Sequence, residues 1–199
     1  MSEAIENKVK RNGWAAGPWD GEADRIEWRS NGVPCLIVRN SIGALCGYAA
    51  VTPDHPWYGK DYSDCVKGCA EVPVKPLESI FDKPVPESIQ KRHMDKKNFT
   101  CREDYKPDHT PESIVDVHGG LTYSNSCNGA ICHVPKPGEP DPVWWFGFDC
   151  AHSGDIIPGM DALLNRVSPR LWDGAYKTVA YVKAEVERLA SQLQMANGR

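Results

Sequence analysis

The clearest alternation of apolar and polar residues lies in the first quarter of the chain. Residues 25–30 (RIEWRS) alternate, Asn31-Gly32 follows, and residues 33–39 (VPCLIVR) are apolar and rich in β-formers. Asn-Gly between two such segments is a strong signal for a tight hairpin turn. Residues 42–51 (IGALCGYAAV) predict a third, mostly buried strand, whose two glycines indicate a bend or a close backbone approach.

Strand patterns return in the second half of the chain. The first is a strand at 113–118 (SIVDVH) that continues past two glycines to 121–123 (LTY). A tight turn at Asn128-Gly129 then leads into a strand at 130–134 (AICHV). The most strand-like segment of the chain is 143–150 (VWWFGFDC). Together with the first hairpin, these segments predict an antiparallel sheet made of hairpins and a meander.

The C-terminal residues have the spacing of an amphipathic helix. Apolar side chains recur there at intervals of three and four, with charged residues between them, at Val179, Val182, Val186, Leu189 and Leu193. Asp173 is the expected N-cap, and residues 3–12 predict a second, short helix. Because a long helix of this kind covers one face of a sheet, the predicted fold class is α+β.

Between residues 63 and 112 the regular pattern is lost. Prolines at 73, 76, 84 and 86 interrupt the segment, and only 87–97 predicts a helix, with Pro86 at its start. We interpret 63–112 as an irregular insertion, rich in proline and cysteine, that packs on the core. A chain of 199 residues is long enough for one such core, so residues 1–199 are predicted to form a single domain.

Charge and hydropathy narrow the classes of partner. The net charge is −4 and the Lys and Arg residues are scattered, which argues against direct nucleic-acid binding. No apolar run approaches the roughly 20 residues of a membrane helix. The N-terminus has no apolar core of a secretory signal, so we expect a cytoplasmic protein without membrane contact.

Eight cysteines are many for such a protein. Cys35 and Cys46 lie in apolar runs and are predicted to be small buried side chains. For the cysteines in loops, the missing secretory signal favours isolated thiols over disulfides. Structural zinc is the alternative, at Cys65-x3-Cys69 and at Cys127-x4-Cys132-His133, although both spacings are longer than the usual two residues.

Two segments concentrate the residue types that perform chemistry. In a strand, Asp116 and His118 share a face, and Gly119-Gly120 then permits a sharp bend or a close backbone approach. The other segment leaves the strand 143–150 and presents Asp149, His152 and Asp155 around a glycine. The candidate catalytic residues are His118, His152 and Asp155; the candidate metal ligands are these three with Asp116 and Asp149. The candidate ligand contacts are Gly119, Gly120, Thr122, Tyr123, Trp145 and Tyr58.

Three interpretations of this set stay open. The side chains bind a divalent metal that activates water or holds a phosphate, or they bind or turn over a small ligand without metal, with a histidine as acid or base. Alternatively, the histidines are ordinary half-buried residues and the aspartates cap turns. A nucleophilic Cys150 is a minor variant, because this thiol is expected to face the core. Common nucleotide, dinucleotide, zincin and hydrolase signatures are absent.

The motifs resemble a family of short, uncharacterised proteins from phage and prophage genomes and scattered bacteria. The residues that carry the resemblance are 31–35 (NGVPC), 46–48 (CGY), His55-Pro56 with Tyr58-Gly59, 117–123 (VHGGLTY), 145–152 (WFGFDCAH) with Gly154-Asp155, and the helix 176–190. The resemblance covers most of the chain outside 63–112. It implies an accessory protein of phage type and carries no activity with it.

Two functions of different classes follow. The first is a site that binds or hydrolyses a small molecule, with a nucleotide-like ligand as one candidate, a divalent metal as its candidate cofactor and catalysis left open. The second is an interaction protein that binds and modulates a host protein, in which the aromatic loop 55–62 and the insertion 63–112 form the contact surface.

Overall fold

The structure is a computed structural model that describes residues 4–6, 9–67, 69–72, 98–101, 109–133, 138, 142–164 and 174–197. Its strands are β1 (Ala4–Glu6), β2 (Arg25–Ser30), β3 (Val33–Arg39), β4 (Leu45–Val51), β5 (Cys69–Val72), β6 (Asn98–Cys101), β7 (Tyr123–Ser126) and β8 (Trp144–Asp149). Its helices are α1 (Pro111–Ile114), α2 (Pro158–Leu164) and α3 (Val179–Asn197), with a short 3₁₀ turn at Pro18–Gly21.

Six strands form one antiparallel sheet in the order β1-β2-β3-β4-β8-β7, and β5 pairs separately with β6. The predicted hairpin is confirmed: Ser30 pairs with Val33 across Asn31-Gly32. Both turn residues have positive φ, 49° and 86°, as a type I′ turn requires. The meander continues through β4, which then pairs with β8, so that β7 becomes the edge strand.

Helix α3 covers one face of the sheet, and the α+β prediction is therefore confirmed. Its buried residues are Val182, Val186, Leu189, Ala190 and Leu193, which include four of the five predicted apolar positions. They pack on side chains of β3, β4 and β8 such as Ile37 and Phe148. Gly47 allows this close contact, since a Cβ there would lie 2.5 Å from Cγ2 of Val186. Thr178 caps α3 by accepting the Tyr181 N–H at 3.2 Å, whereas Asp173 lies outside the described residues.

The opposite face of the sheet carries a second apolar cluster. Tyr48 and Tyr123 meet edge to face above Gly147, with ring centroids 5.3 Å apart. Trp145 is fully buried in the same cluster. The two adjacent tryptophans of β8 thus face different layers, because side chains alternate along a strand.

Three predicted elements are wrong. Residues 130–134 are not a strand: in the described part of this segment, Ile131 forms only an isolated bridge with Asn128. Residues 113–118 are not a strand: Thr110 and Ser113 form a capping box, Pro111 occupies the first turn, and α1 ends at Ile114. Residues 3–12 are not a helix, because Ala4–Glu6 pairs with β2 as an edge strand. The helix predicted at 87–97 lies outside the described residues. No helix within the described ranges is long and apolar enough to cross a membrane.

A buried arginine joins the N-terminal segment to the start of α3. The Arg39 side chain has no exposed surface; it donates from Nε to Asp24 Oδ1 and from Nη2 to Glu22 Oε2, both at 2.9 Å. Its Nη1 donates to the Tyr176 hydroxyl at 2.8 Å. Glu22 also accepts the backbone N–H of Val179, the first residue of α3, at 2.8 Å. One guanidinium therefore fixes three segments of the chain.

The cysteines confirm one prediction and contradict another. Cys35, Cys46 and Cys150 are buried free thiols, as expected for the first two. Cys127 and Cys132, however, form a disulfide, and Cys65 is also disulfide-bonded, so these loop cysteines are not isolated thiols. The turn at Asn128-Gly129 brings the two Cα atoms to 4.5 Å, within the range that a disulfide needs. The bonded pair is not available to hold zinc.

We expect the Cys127→Ser/Cys132→Ser double variant to lose about 2 kcal/mol of unfolding free energy, because a short closed loop restricts the unfolded chain. Urea denaturation of both proteins under oxidising conditions measures the difference. The same comparison in dithiothreitol is the control, since the wild-type pair is then reduced too and the difference should vanish. A difference that persists would mean that the serines act through packing instead.

Candidate functional site

The segment that precedes the two glycines lies along α3. Val115 and Val117 are buried in the core, and Asp116 and His118 alternate with them. Gln192 of α3 binds the backbone of Asp116 twice, accepting its N–H at 2.8 Å and donating to its carbonyl at 3.0 Å. The segment is extended, as the alternation indicated, but helix side chains replace the neighbouring strand that we predicted.

One polar stripe of α3 makes these contacts. Its members follow one another at spacings of four, three and four residues, which places them on one face of a helix: Tyr181, Glu185, Arg188 and Gln192. Glu185 accepts the backbone N–H of His118 at 2.8 Å, and the Tyr181 hydroxyl lies 3.1 Å from His118 Nδ1. The sequence prediction assigned no role to these four residues. These four polar residues recur with helical spacing on a different face from the apolar residues of α3. That spacing is the sequence signal that could have identified them as a second contact face.

A tight turn brings the two candidate segments into contact. Gly120 donates its N–H to the carbonyl of Val117, and Gly119 between them has φ of +67°. The Gly119 Cα faces the imidazole of His152, so closely that a Cβ there would lie 2.0 Å from Cε1 of the ring. The prediction of a close backbone approach is therefore explained by a side chain of the other segment.

His118, His152 and Asp155 form a compact cluster. Asp155 Oδ2 lies 2.8 Å from Nε2 of His118 and 3.7 Å from Nδ1 of His152, and it accepts the His152 N–H at 3.0 Å. The imidazole rings meet edge to face at 5.4 Å. Asp155 itself is held by the turn from His152 and by a parallel bridge to Ala175. The structure thus brings together all three predicted catalytic residues.

The Asp155 carboxylate is buried and charged. Its side chain is 3% exposed, and burial by itself would raise its pKa. The hydrogen bonds from His118 and His152 and the charge of Lys177 outweigh this effect. Together they hold the pKa of Asp155 below its ordinary value. Lys177 Nζ lies 3.6 Å from Asp155 Oδ1 and 5.4 Å from the centre of the Tyr181 ring. Burial, with Glu185 nearby, raises the pKa of Tyr181, which keeps its hydroxyl protonated at neutral pH.

The cluster has the composition and dimensions of a metal site. Within the described part of the chain it is the one group of three His, Cys, Asp or Glu side chains whose ligand atoms all lie within 4.8 Å of one another. Ligands about 2.0–2.2 Å from a tetrahedral ion are about 3.3 Å apart, and the 2.8 and 3.7 Å separations bracket that distance. His152 Nδ1 is buried and makes no hydrogen bond to any described residue, so its lone pair is available.

Two predicted metal ligands lie apart from the cluster. The Asp116 side chain is 85% exposed and pairs with Arg188 Nη1 at 2.9 Å. Asp149 accepts the Thr122 hydroxyl at 2.9 Å and the Ala151 N–H at 3.0 Å, so it closes the turn at the end of β8. That is the capping role which the sequence left open for the aspartates.

The predicted aromatic contacts also lie elsewhere. Tyr123 and Trp145 belong to the apolar cluster on the sheet face opposite α3, whereas the histidine cluster contacts α3. Tyr58 packs against Trp144 with ring centroids 6.2 Å apart. In the same aromatic loop, Trp57 is buried, so part of the aromatic surface of this loop faces the core.

A thiol adjoins the cluster without joining it. Cys150 is buried, and burial, with the charges of Asp155 and Asp149, raises the pKa of its thiol far above the ordinary value. A thiol that resists ionisation is a poor nucleophile. The structure therefore supports the expectation that Cys150 faces the core.

Comparison with models of known protein families, with curated proteins and with solved structures found no match for this chain.

Proposed function

We propose that His118, His152 and Asp155 bind a divalent metal ion, and that the protein uses this ion to bind or hydrolyse a small molecule. The observation that carries the proposal is the unpartnered, buried Nδ1 of His152 beside the Asp155 carboxylate. Burying a ring nitrogen without a partner costs free energy, and a metal ion would offset that cost. Two imidazoles and one carboxylate favour zinc or another first-row transition metal over magnesium or calcium.

The hydrogen bonds of His118 suit such a site. A carboxylate only accepts, so neutral His118 carries its proton on Nε2 when it bonds to Asp155, and Nδ1 accepts the Tyr181 hydroxyl. To coordinate an ion, Nε2 must present its lone pair, and the proton then belongs on Nδ1. The Tyr181 oxygen can accept that proton, because a hydroxyl serves as donor or acceptor. Tyr181 is therefore a positioning residue that orients the ring in both states.

Three protein ligands leave at least one coordination position for water or substrate, as in catalytic rather than structural sites. A divalent ion there would polarise a bound carbonyl or phosphoryl group and make water a nucleophile at neutral pH. In keeping with the resemblance of its motifs, we place the protein among accessory proteins of phage type.

Metal binding tests the proposal directly. We expect purified protein to bind Zn²⁺ with one ion per chain, measured by isothermal titration calorimetry and elemental analysis. Asp155→Asn should weaken binding by more than about 100-fold, beyond the effect typical of residues that only orient a ligand. Asp116→Asn is the matched control: it removes a carboxylate of the same type that lies outside the cluster, and it should bind like wild type.

The histidines give the second half of the test. His118→Asn and His152→Asn should each abolish the same site, while circular dichroism shows that the fold persists. Ion bound equally by wild type and by all three cluster variants would assign the metal elsewhere and refute the proposal. Absence of binding by wild type would refute it as well.

A further inference from the structure

Two cationic side chains face the carboxylates around the cluster. The Asp155 carboxylate faces the ammonium of Lys177 at 3.6 Å, and Glu185 accepts from Arg188 Nη2 at 2.8 Å. An added divalent ion would bring two more positive charges beside Asp155, whose carboxylate already contacts the ammonium of Lys177. Such a centre attracts an anion strongly, because the surroundings are partly buried and screening is weak.

Lys177 is placed to share that anion. Its side chain is 22% exposed, and Nζ lies against the face of the Tyr181 ring, which is itself at the surface. When Asp155 coordinates an ion, its negative charge is shared with that ion. Lys177 would then lose most of its attraction to Asp155, and an oxyanion that touches both the ion and the ammonium would replace the lost partner.

We propose that the ligand of this site carries an oxyanion, a phosphate or carboxylate group, that binds the metal ion and Lys177 together. The inference rests on the proposed metal site and names the class of its substrate. Lysine is a common phosphate ligand in proteins, and a metal–lysine pair neutralises charge that develops on a phosphoryl or acyl oxygen. Lys177 would thus be a binding residue and not a metal ligand.

Cobalt serves as the probe, because its visible absorption bands report changes in its coordination. The protein is loaded with Co²⁺ and titrated with inorganic phosphate and, separately, with acetate. We expect at least one anion to change the spectrum saturably in wild type. In Lys177→Gln, its dissociation constant should rise about 10-fold or more, the effect expected for losing a charged hydrogen bond. Lys177→Arg should recover part of the affinity.

The controls separate this inference from the metal site itself. Lys183→Gln removes a lysine that lies over Trp28, and it should bind the anion like wild type. Lys177→Gln should bind Co²⁺ at least as tightly as wild type, because an ammonium that competes for Asp155 is gone. If Co²⁺ binds but neither anion alters its spectrum, or Lys177→Gln binds the anion as tightly as wild type, the oxyanion inference is wrong and the metal site stands. If Co²⁺ does not bind, both proposals fail.

Discussion

Replacing Arg39 with methionine is expected to lower the unfolding free energy by roughly 3–5 kcal/mol, the cost of removing one partner from a buried ion pair. Methionine fills much of the same volume, but it leaves Asp24 and Glu22 without the guanidinium that binds both. Asp24 is 3% exposed, so water replaces that partner poorly. Urea denaturation at neutral pH measures the loss. Arg188→Met is the control, because the Arg188 side chain is 45% exposed and water can replace it; its loss should cost less than about 1 kcal/mol.

The loss of unfolding free energy in Arg39→Met should also depend on pH. Burial raises the pKa of Asp24, but hydrogen bonds from Val9, Arg11 and Arg39 hold it below the ordinary value of 3.8. A depressed folded pKa contributes stability above 3.8 that is lost as the pH falls through the folded pKa. Without Arg39, burial is less opposed and Asp24 protonates more easily. We therefore expect the difference between Arg39→Met and wild type to shrink below about pH 4. A deficit that stays constant with pH would assign the loss to packing.

The local elements were predictable because the signals that form them are local. Asn31-Gly32 supplies the two positive φ angles of its hairpin by itself. The apolar period of α3 identifies its buried face wherever the sheet happens to lie. Arg39 is different: Asp24 and Glu22 precede it by 15 and 17 residues, and Tyr176 follows it by 137. Nothing in the alternation of β3 indicates these partners.

The segment 115–118 shows where a pattern fails. Alternation correctly predicts that Val115 and Val117 are buried. It does not indicate which groups form hydrogen bonds with the backbone between these two valines. Here the side-chain amide of Gln192, 76 residues further along the chain, binds both the N–H and the carbonyl of Asp116. An extended segment that is bound by a helix side chain shows the same alternation of buried and exposed residues as a segment paired with a neighbouring strand. The strand prediction therefore had the correct faces and the wrong partner.

The candidate site was predictable as a set of residue types and only partly as a geometry. Histidines and aspartates beside glycines identified His118, His152 and Asp155, which the fold does bring together. The same reasoning included Asp116 and Asp149, because composition does not reveal which carboxylates pair with Arg188 or close a turn. It missed Lys177, which lies just before α3, and Tyr181, in the first turn of α3; both meet the cluster only once that helix packs on the sheet.

The Gly119→Ala variant is expected to abolish metal binding, while Gly120→Ala keeps it. Both glycines have positive φ, +67° and +83°, so alanine at either position costs about 1–2 kcal/mol of stability. They differ in what a Cβ meets. At Gly119 it would overlap the ring of His152, at 2.0 Å from Cε1, whereas at Gly120 no atom lies within 4 Å.

The ring of His152 must therefore move in Gly119→Ala and take its Nδ1 away from Asp155. Both variants carry the same kind of backbone strain. A difference between their Co²⁺ affinities therefore measures the effect of displacing the imidazole and not the effect of destabilising the fold. Equal affinity in both variants would show that His152 is not held as a ligand by this turn. A loss confined to Gly119→Ala would instead establish that the Gly-Gly turn exists to admit a histidine from the neighbouring segment.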